Sequence, residues 1–158
     1  MPSFGELFNE SKGQPISYQG KTLFLADRFP VLDGQKLRIC IEKTNSEYPQ
    51  GLSVDITGSC EVKGKIWKKG KGVKMIFWAD SLGIDPKNIE ITVFTKVGFV
   101  WIQNLWEMAN HMGKKSIDSG NNGAAIIVEE IEKGRRYRCN DGHPDDNFDD
   151  IVFTVQTI

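Results

Sequence analysis

Eleven residues near the end of the chain, Asn140-Asp141-Gly142-His143-Pro144-Asp145-Asp146-Asn147-Phe148-Asp149-Asp150, carry five aspartates, two asparagines and no lysine or arginine. Carboxylates at this density repel one another unless positive charge or hydrogen-bond donors compensate. Hard oxygen ligands on a tethered loop suit calcium. Asp141, Asp145, Asn147, Asp149 and Asp150 are therefore the expected ion contacts, with Asn140 assisting a polar ligand and calcium as the cofactor this chemistry would take. The apolar run Ile151-Val152-Phe153-Thr154-Val155 follows at once and should anchor one end of the loop, with Phe148 pinning it to the core.

Asp145, Asn147 and Asp149 have the i, i+2, i+4 spacing that opens an EF-hand loop, but the match then fails. The glycine position is Asp150, the twelfth is Gln156, and a strand-like run follows where a helix should. The Asp146-Asn147-Phe148-Asp149-Asp150-Ile151-Val152-Phe153 stretch resembles the end of some bacterial secreted β-sandwich domains thought to bind calcium, over about a dozen residues. The competing reading is a capped turn. Asp and Asn side chains bond to nearby backbone amides, and Arg135, Arg136 and Arg138 neutralise part of the charge.

Other chemistry is sparse. Cys139 and His143 lack a third ligand at zinc-like spacing, and Cys139 sits in a strand-like run that would bury rather than activate it. His111 is the other histidine, and no nucleophile-elbow, phosphate-loop or zinc-protease motif occurs. The expectation is a protein that is not an enzyme. Residues 61–80 carry six lysines against Glu61 and Asp80, with Trp67 and Trp78 interleaved. A basic, aromatic run could meet nucleic acid, but lysine also protects edge strands, and the net charge of −1 favours the second account. No nucleic-acid partner is expected. Among the aromatics, Trp106, beside Asn104 and Glu107, is the expected ligand platform: an aromatic face next to amides and acids suits a sugar.

The elements that must position these residues read mostly as strands. Leu37, Ile39 and Ile41 alternate with polar neighbours, as do Leu52, Val54 and Ile56. Val62 to Trp67 and Val73 to Trp78 follow glycine-marked turns. Ile89–Thr95 and Phe99–Ile102 flank Lys96-Val97-Gly98 as a hairpin, and 124–129 and 135–139 flank Glu132-Lys133-Gly134 as another. Residues 105–112 suggest a short helix and 114–122 an exposed loop. Phe4, Leu7 and Phe8 predict a helix within an N-terminal segment, 1–13, that Gly13 and Pro15 end. The fold expected is all-β: a single jelly-roll-like β-sandwich over 1–158, with nine to ten short antiparallel strands and a short N-terminal helix.

At 158 residues the chain can bury a core without disulfides, and its three cysteines, Cys40, Cys60 and Cys139, form no framework. The start lacks the features of a signal peptide, and no apolar window reaches the length of a membrane span. The expected location is cytoplasmic, or outside the cell by a route without a classical leader. The function expected is a non-enzymatic binding module whose 140–150 loop organises a calcium-dependent site for a glycan or cell-surface ligand. The alternative is a small cytosolic immunity or inhibitor protein whose acidic loop pairs with a basic face of a toxin or nuclease. Oligomeric state is not specified by these patterns.

Overall fold

A computed structural model describes residues 4–80, 84–109, 115–119, 124–141 and 147–158. Helix α1, Phe4–Glu10, buries Phe8 and ends in left-handed backbone at Lys12 and Gly13. Lys12 N–H donates to Asn9 O and Gly13 N–H donates to Phe8 O at 2.9 Å, the paired bonds of a Schellman cap. Fourteen strands follow among the described residues, in three antiparallel groups.

Strands β1 (Ile16–Tyr18) and β2 (Lys21–Leu23) form a small hairpin. The larger sheet contains β4 (Gln35–Thr44), β6 (Gly58–Val62), β7 (Lys65–Trp67), β9 (Ile89–Thr95), β12 (Ala125–Ile131), β13 (Gly134–Asn140) and β14 (Ile151–Thr157). Its order is β12-β13-β14-β4-β9-β6-β7. The second sheet contains β3 (Asp27–Pro30), β5 (Gln50–Ile56), β8 (Val73–Trp78), β10 (Phe99–Ala109) and β11 (Lys115–Ser119). Its order is β11-β10-β5-β8, with β3 pairing the first half of β10.

The period-two alternation of the sequence explains the layers, because successive strand side chains point to opposite faces. Leu37, Ile39, Ile41, Ile91 and Val93 of the larger sheet meet Leu52, Val54, Phe77, Val100 and Ile102 of the smaller one in one buried cluster. The molecule is a β-sandwich with that cluster between its sheets. The chain passes from the smaller sheet to the larger at Gly58, where φ is 145° and an added Cβ would lie 2.0 Å from Phe94 O. Only glycine fits that corner.

Four expectations change. Ile89–Thr95 and Phe99–Ile102 do not pair as a hairpin: Lys96-Val97-Gly98 carries the chain from the larger sheet, where β9 lies between β4 and β6, to the smaller, where β10 pairs β3, β5 and β11. The strands outnumber the nine or ten predicted because β1, β2, β3 and β11 lack long alternating runs in the sequence. Residues 105–109 are extended, not helical: Leu105 and Trp106 pair with Gly51 and Gln50 on one side, and 105–109 pair with β11 on the other. The 114–122 loop is in part that strand, Lys115–Ser119. Long-range pairing there overrides local helix propensity. Among the described residues no helix is long and apolar enough to cross a membrane.

Candidate functional site

The acidic stretch lies where β13 hands over to β14, at the rim of the core. Asp145 and His143 lie outside the described residues. Asn140, Asp141 and Asp150 are buried, whereas Asn147 is exposed. Their oxygens serve the fold. Ser46 Oγ donates to Asp141 Oδ2 at 2.5 Å and Gln50 Nε2 donates to the same oxygen at 3.0 Å. Asp141 N–H in turn donates to Asp150 Oδ2 at 2.9 Å, and Asn45 Nδ2 donates to Asp149 Oδ2 at 3.0 Å. Asn140 Oδ1 accepts from Phe148 N–H, and Asn104 Nδ2 donates to Asn140 O. Phe148 is buried against Phe8, Leu23 and Ala125, as an anchor should be, in a left-handed conformation (φ 53°) uncommon for a bulky residue.

The cations expected beside this loop are elsewhere. Arg135 pairs with Asp27 at 2.8 Å and Glu130 at 2.9 Å, Arg136 with Glu42 at 2.6 Å, and Arg138 with Glu129. They are committed to these partners because β13 holds them in register with β12 and β14. The aspartates of the rim are instead met by neutral donors. Among the described residues no three His, Cys, Asp or Glu side chains gather as a metal-holding group. Burial, and then the neighbouring Asp150 carboxylate, push the Cys139 thiol well above its ordinary range, which disfavours the reactive thiolate.

Trp106 is a second correction. It is 0% exposed, so its ring offers no surface for stacking, and Asn104 is equally buried. Both sit on the inner face of β10, opposite Gln50 and Leu52. Gln50 Oε1, Asn104 Oδ1 and Trp106 Nε1 are buried without hydrogen-bond partners in this inter-sheet layer. Groups of this kind are commonly met by internal water.

The parity that buries Trp106 turns Trp101 outward. Trp101 is 43% exposed, while its neighbours Val100 and Ile102 are in the core. On the outer face of the smaller sheet, cross-strand register places Arg28, Trp101, Asp55 and Lys74 in one row. The next row is Gln103, Ser53 and Ile76, and the third is Leu105, Gly51 and Trp78. Arg28 lies 3.9 Å over the Phe99 ring, and Phe99 meets Trp101 edge to face at 5.8 Å. The central strand supplies small residues between larger ones. An added Cβ on Gly51 would come within 2.9 Å of the Trp78 ring and 3.2 Å of Leu105. Ser53, Gly51 and Leu105 are buried, so the accessible part of this face is the Trp101 row and the neighbouring Ile76.

Exposed aromatic carbon bordered by a carboxylate, an amide and two cations can hold a flat, hydroxyl-bearing ligand through apolar contact and directed hydrogen bonds. Period two within Phe99–Ile102, applied strictly, is the sequence signal that finds it. The class these features define is an antiparallel β-sandwich with an open aromatic sheet face. Compared with protein-family models, curated proteins and solved structures, the chain shows no significant match.

Proposed function

We propose that the protein is a non-enzymatic binding module that holds a glycan on the outer face of its smaller sheet. The observation that carries this reading is Trp101, exposed at the centre of the Arg28–Trp101–Asp55–Lys74 row and braced by the Phe99–Arg28 stack. A pyranose ring offers C–H groups to the indole and hydroxyls to Asp55 and Gln103. The brace lowers the entropy lost when the ligand orders the ring.

Binding without hydrolysis is supported by the spacing of acids on this face. Glycosidases usually set two carboxyl groups about 5–9.5 Å apart. Asp55 stands opposite Trp101, and the next carboxylate on that face of β10, Glu107, is six positions along the strand, on the order of 20 Å away.

Titration with a panel of oligosaccharides, followed by tryptophan fluorescence, tests the reading. Trp101→Ala should weaken binding at least about tenfold, equivalent to about 1.4 kcal/mol, while the melting temperature stays close to that of the parent because the ring is half exposed. Saccharides that bind equally well without Trp101, or none that bind, would sink it.

A further inference from the structure

We infer that the glycan is anionic, and that it runs from Trp101 into a lysine-edged groove at the far end of β5; this rests on the glycan reading above. Asp55 and Lys74, which complete the Trp101 row, also line a groove of about 320 Å3 together with Thr57, Lys69 and Lys71. A second groove of about 440 Å3 shares Thr57 and adds Ser59, Lys68, Thr95 and Lys96. The two grooves thus share Thr57, and the first shares Asp55 and Lys74 with the Trp101 row. Lysines edge both grooves, and Thr57 is exposed where the two meet.

The lysines are held there by the backbone. Lys69 and Gly72 close a turn through Lys69 N–H to Gly72 O at 2.8 Å and the reciprocal bond at 3.3 Å, with Gly70 at φ 66°. Gly72 packs so closely on β5 that an added Cβ would lie 2.5 Å from Ile56 O. Lys68, Lys69, Lys71 and Lys74 are exposed, and none pairs with a carboxylate among the described residues. Among the described residues Lys96 pairs only with Asp33, which also lines the second groove, at 3.0 Å and well exposed, where screening leaves little attraction. The groove linings together carry Lys68, Lys69, Lys71, Lys74 and Lys96 against Asp33 and Asp55, which makes this end positive although the chain as a whole carries −1. A local patch of one sign concentrates and steers ligands of the other.

Charge complementarity selects an anion, and Asp55 selects the kind. An exposed carboxylate between Trp101 and the lysines favours a ligand that brings hydrogen-bond donors to replace its water. Sugar hydroxyls supply them, whereas a phosphodiester backbone or a run of acidic side chains brings more negative charge. Lysine ammonium groups, acting as separate point charges, suit sulfate or carboxylate groups spaced along a chain.

Calorimetry on the full chain with a heparin-derived oligosaccharide and a neutral cello-oligosaccharide tests this at several salt concentrations. The sulfated ligand should bind at least about tenfold tighter at low salt and lose that advantage as salt rises. Lys69→Ala with Lys71→Ala should remove most of the advantage and leave neutral binding unchanged, and Trp101→Ala should weaken both. Melting curves of the exposed lysine variant establish that it is folded. Equal binding of both sugars by the parent would overturn the anionic ligand and leave the glycan reading standing. Loss on lysine removal with no effect of Trp101→Ala would instead overturn the sheet-face reading. Single-stranded DNA or poly-glutamate binding more tightly than the sulfated sugar would overturn the choice of a glycan. No saccharide binding at all would overturn both.

Discussion

Gln50 donates its side-chain amide to Asp141 Oδ2 over 3.0 Å, joining the start of β5 to the end of β13 across 91 residues of sequence. Ser46 donates to the same oxygen, so one buried carboxylate collects donors from the β4–β5 connection and from the opposite sheet. Asp141→Ala should therefore destabilise the fold by about 2–3 kcal/mol, because two hydrogen bonds to a buried carboxylate are lost, leaving the half-buried Ser46 hydroxyl without this acceptor and Gln50 Nε2 with only its bond to Tyr48 O. Urea denaturation measures it. A change below about 0.5 kcal/mol, the range of ordinary surface substitutions, would show that the loop is solvated and that the carboxylate is not structural.

A second staple joins the sheets at Asp27 on β3. Tyr137 O–H donates to Asp27 Oδ2 at 2.6 Å, and Arg135 Nη1 donates to that oxygen at 2.8 Å. Tyr137→Phe removes one donor and leaves the ion pair, so a loss of about 1–2 kcal/mol is expected. Asp27→Ala leaves a buried phenol without its acceptor and costs Arg135 one of its partners, Glu130 and Arg28 O remaining, so it should lose more than Tyr137→Phe. The ordering is the test: equal losses would mean that the ion pair contributes nothing beyond the phenol bond.

The acidic rim makes a sharp prediction for calcium. An ion binding only the folded state raises the melting temperature by mass action. Here Asp141 Oδ2, Asp150 Oδ2 and Asp149 Oδ2 already accept from Ser46, Gln50, the Asp141 amide and Asn45. Calcium would have to displace those donors. Melting curves in millimolar calcium and in EDTA should therefore coincide. A clear rise with calcium would assign the ion to this rim, with the buried Asp149 Oδ1, which has no donor among the described residues, as its first ligand to test.

How much of this could be read from sequence depended on whether the pattern was local. Ile89–Thr95 and Phe99–Ile102 were legible as strands, and Gly98 takes φ 85° between them, but they do not pair with each other: β9 lies in the larger sheet and β10 in the smaller, a choice set by partners distant in sequence. Glu132-Lys133-Gly134, where Lys133 takes φ 59°, does close a hairpin, that of β12 with β13. Leu105 to Ala109 were misread because their helix preference is local, while the pairings to β5 and β11 that overrule it come from elsewhere in the chain. That error carried over to the site. With β10 ended early, Trp106 lost its parity with Trp101 and seemed to lie beyond the sheet, when it is the inward-facing member of the pair. The acidic loop was legible as a composition but not as a function, because its partners Ser46, Gln50 and Asn104 are distant in sequence.

The cysteines give a prediction with a definite sign. Burial, and then Glu61, push the Cys60 thiol up from 9.0 to about 12. Burial, followed by Asp150, raises Cys139, and burial, followed by Asp27, raises Tyr137. Each folded-state group holds its proton at a pH where the unfolded chain has released it. The associated stability is therefore complete below the unfolded value, 9.0 for the cysteines and 10.0 for Tyr137, and is lost as pH rises from there to the folded value. Unfolding free energy should fall across that window, from 9.0 to about 12 for Cys60, by up to about 1.4 kcal/mol per pH unit for each titrating group, and Cys60→Ala should flatten the slope. The same burial sets reactivity. Cys40, partly accessible, should be the one thiol alkylated in the native protein, and all three should react in guanidinium. Rapid native labelling of Cys139 would contradict this, because it would require the β13–β14 rim that holds Asp141 and Asp150 to open freely.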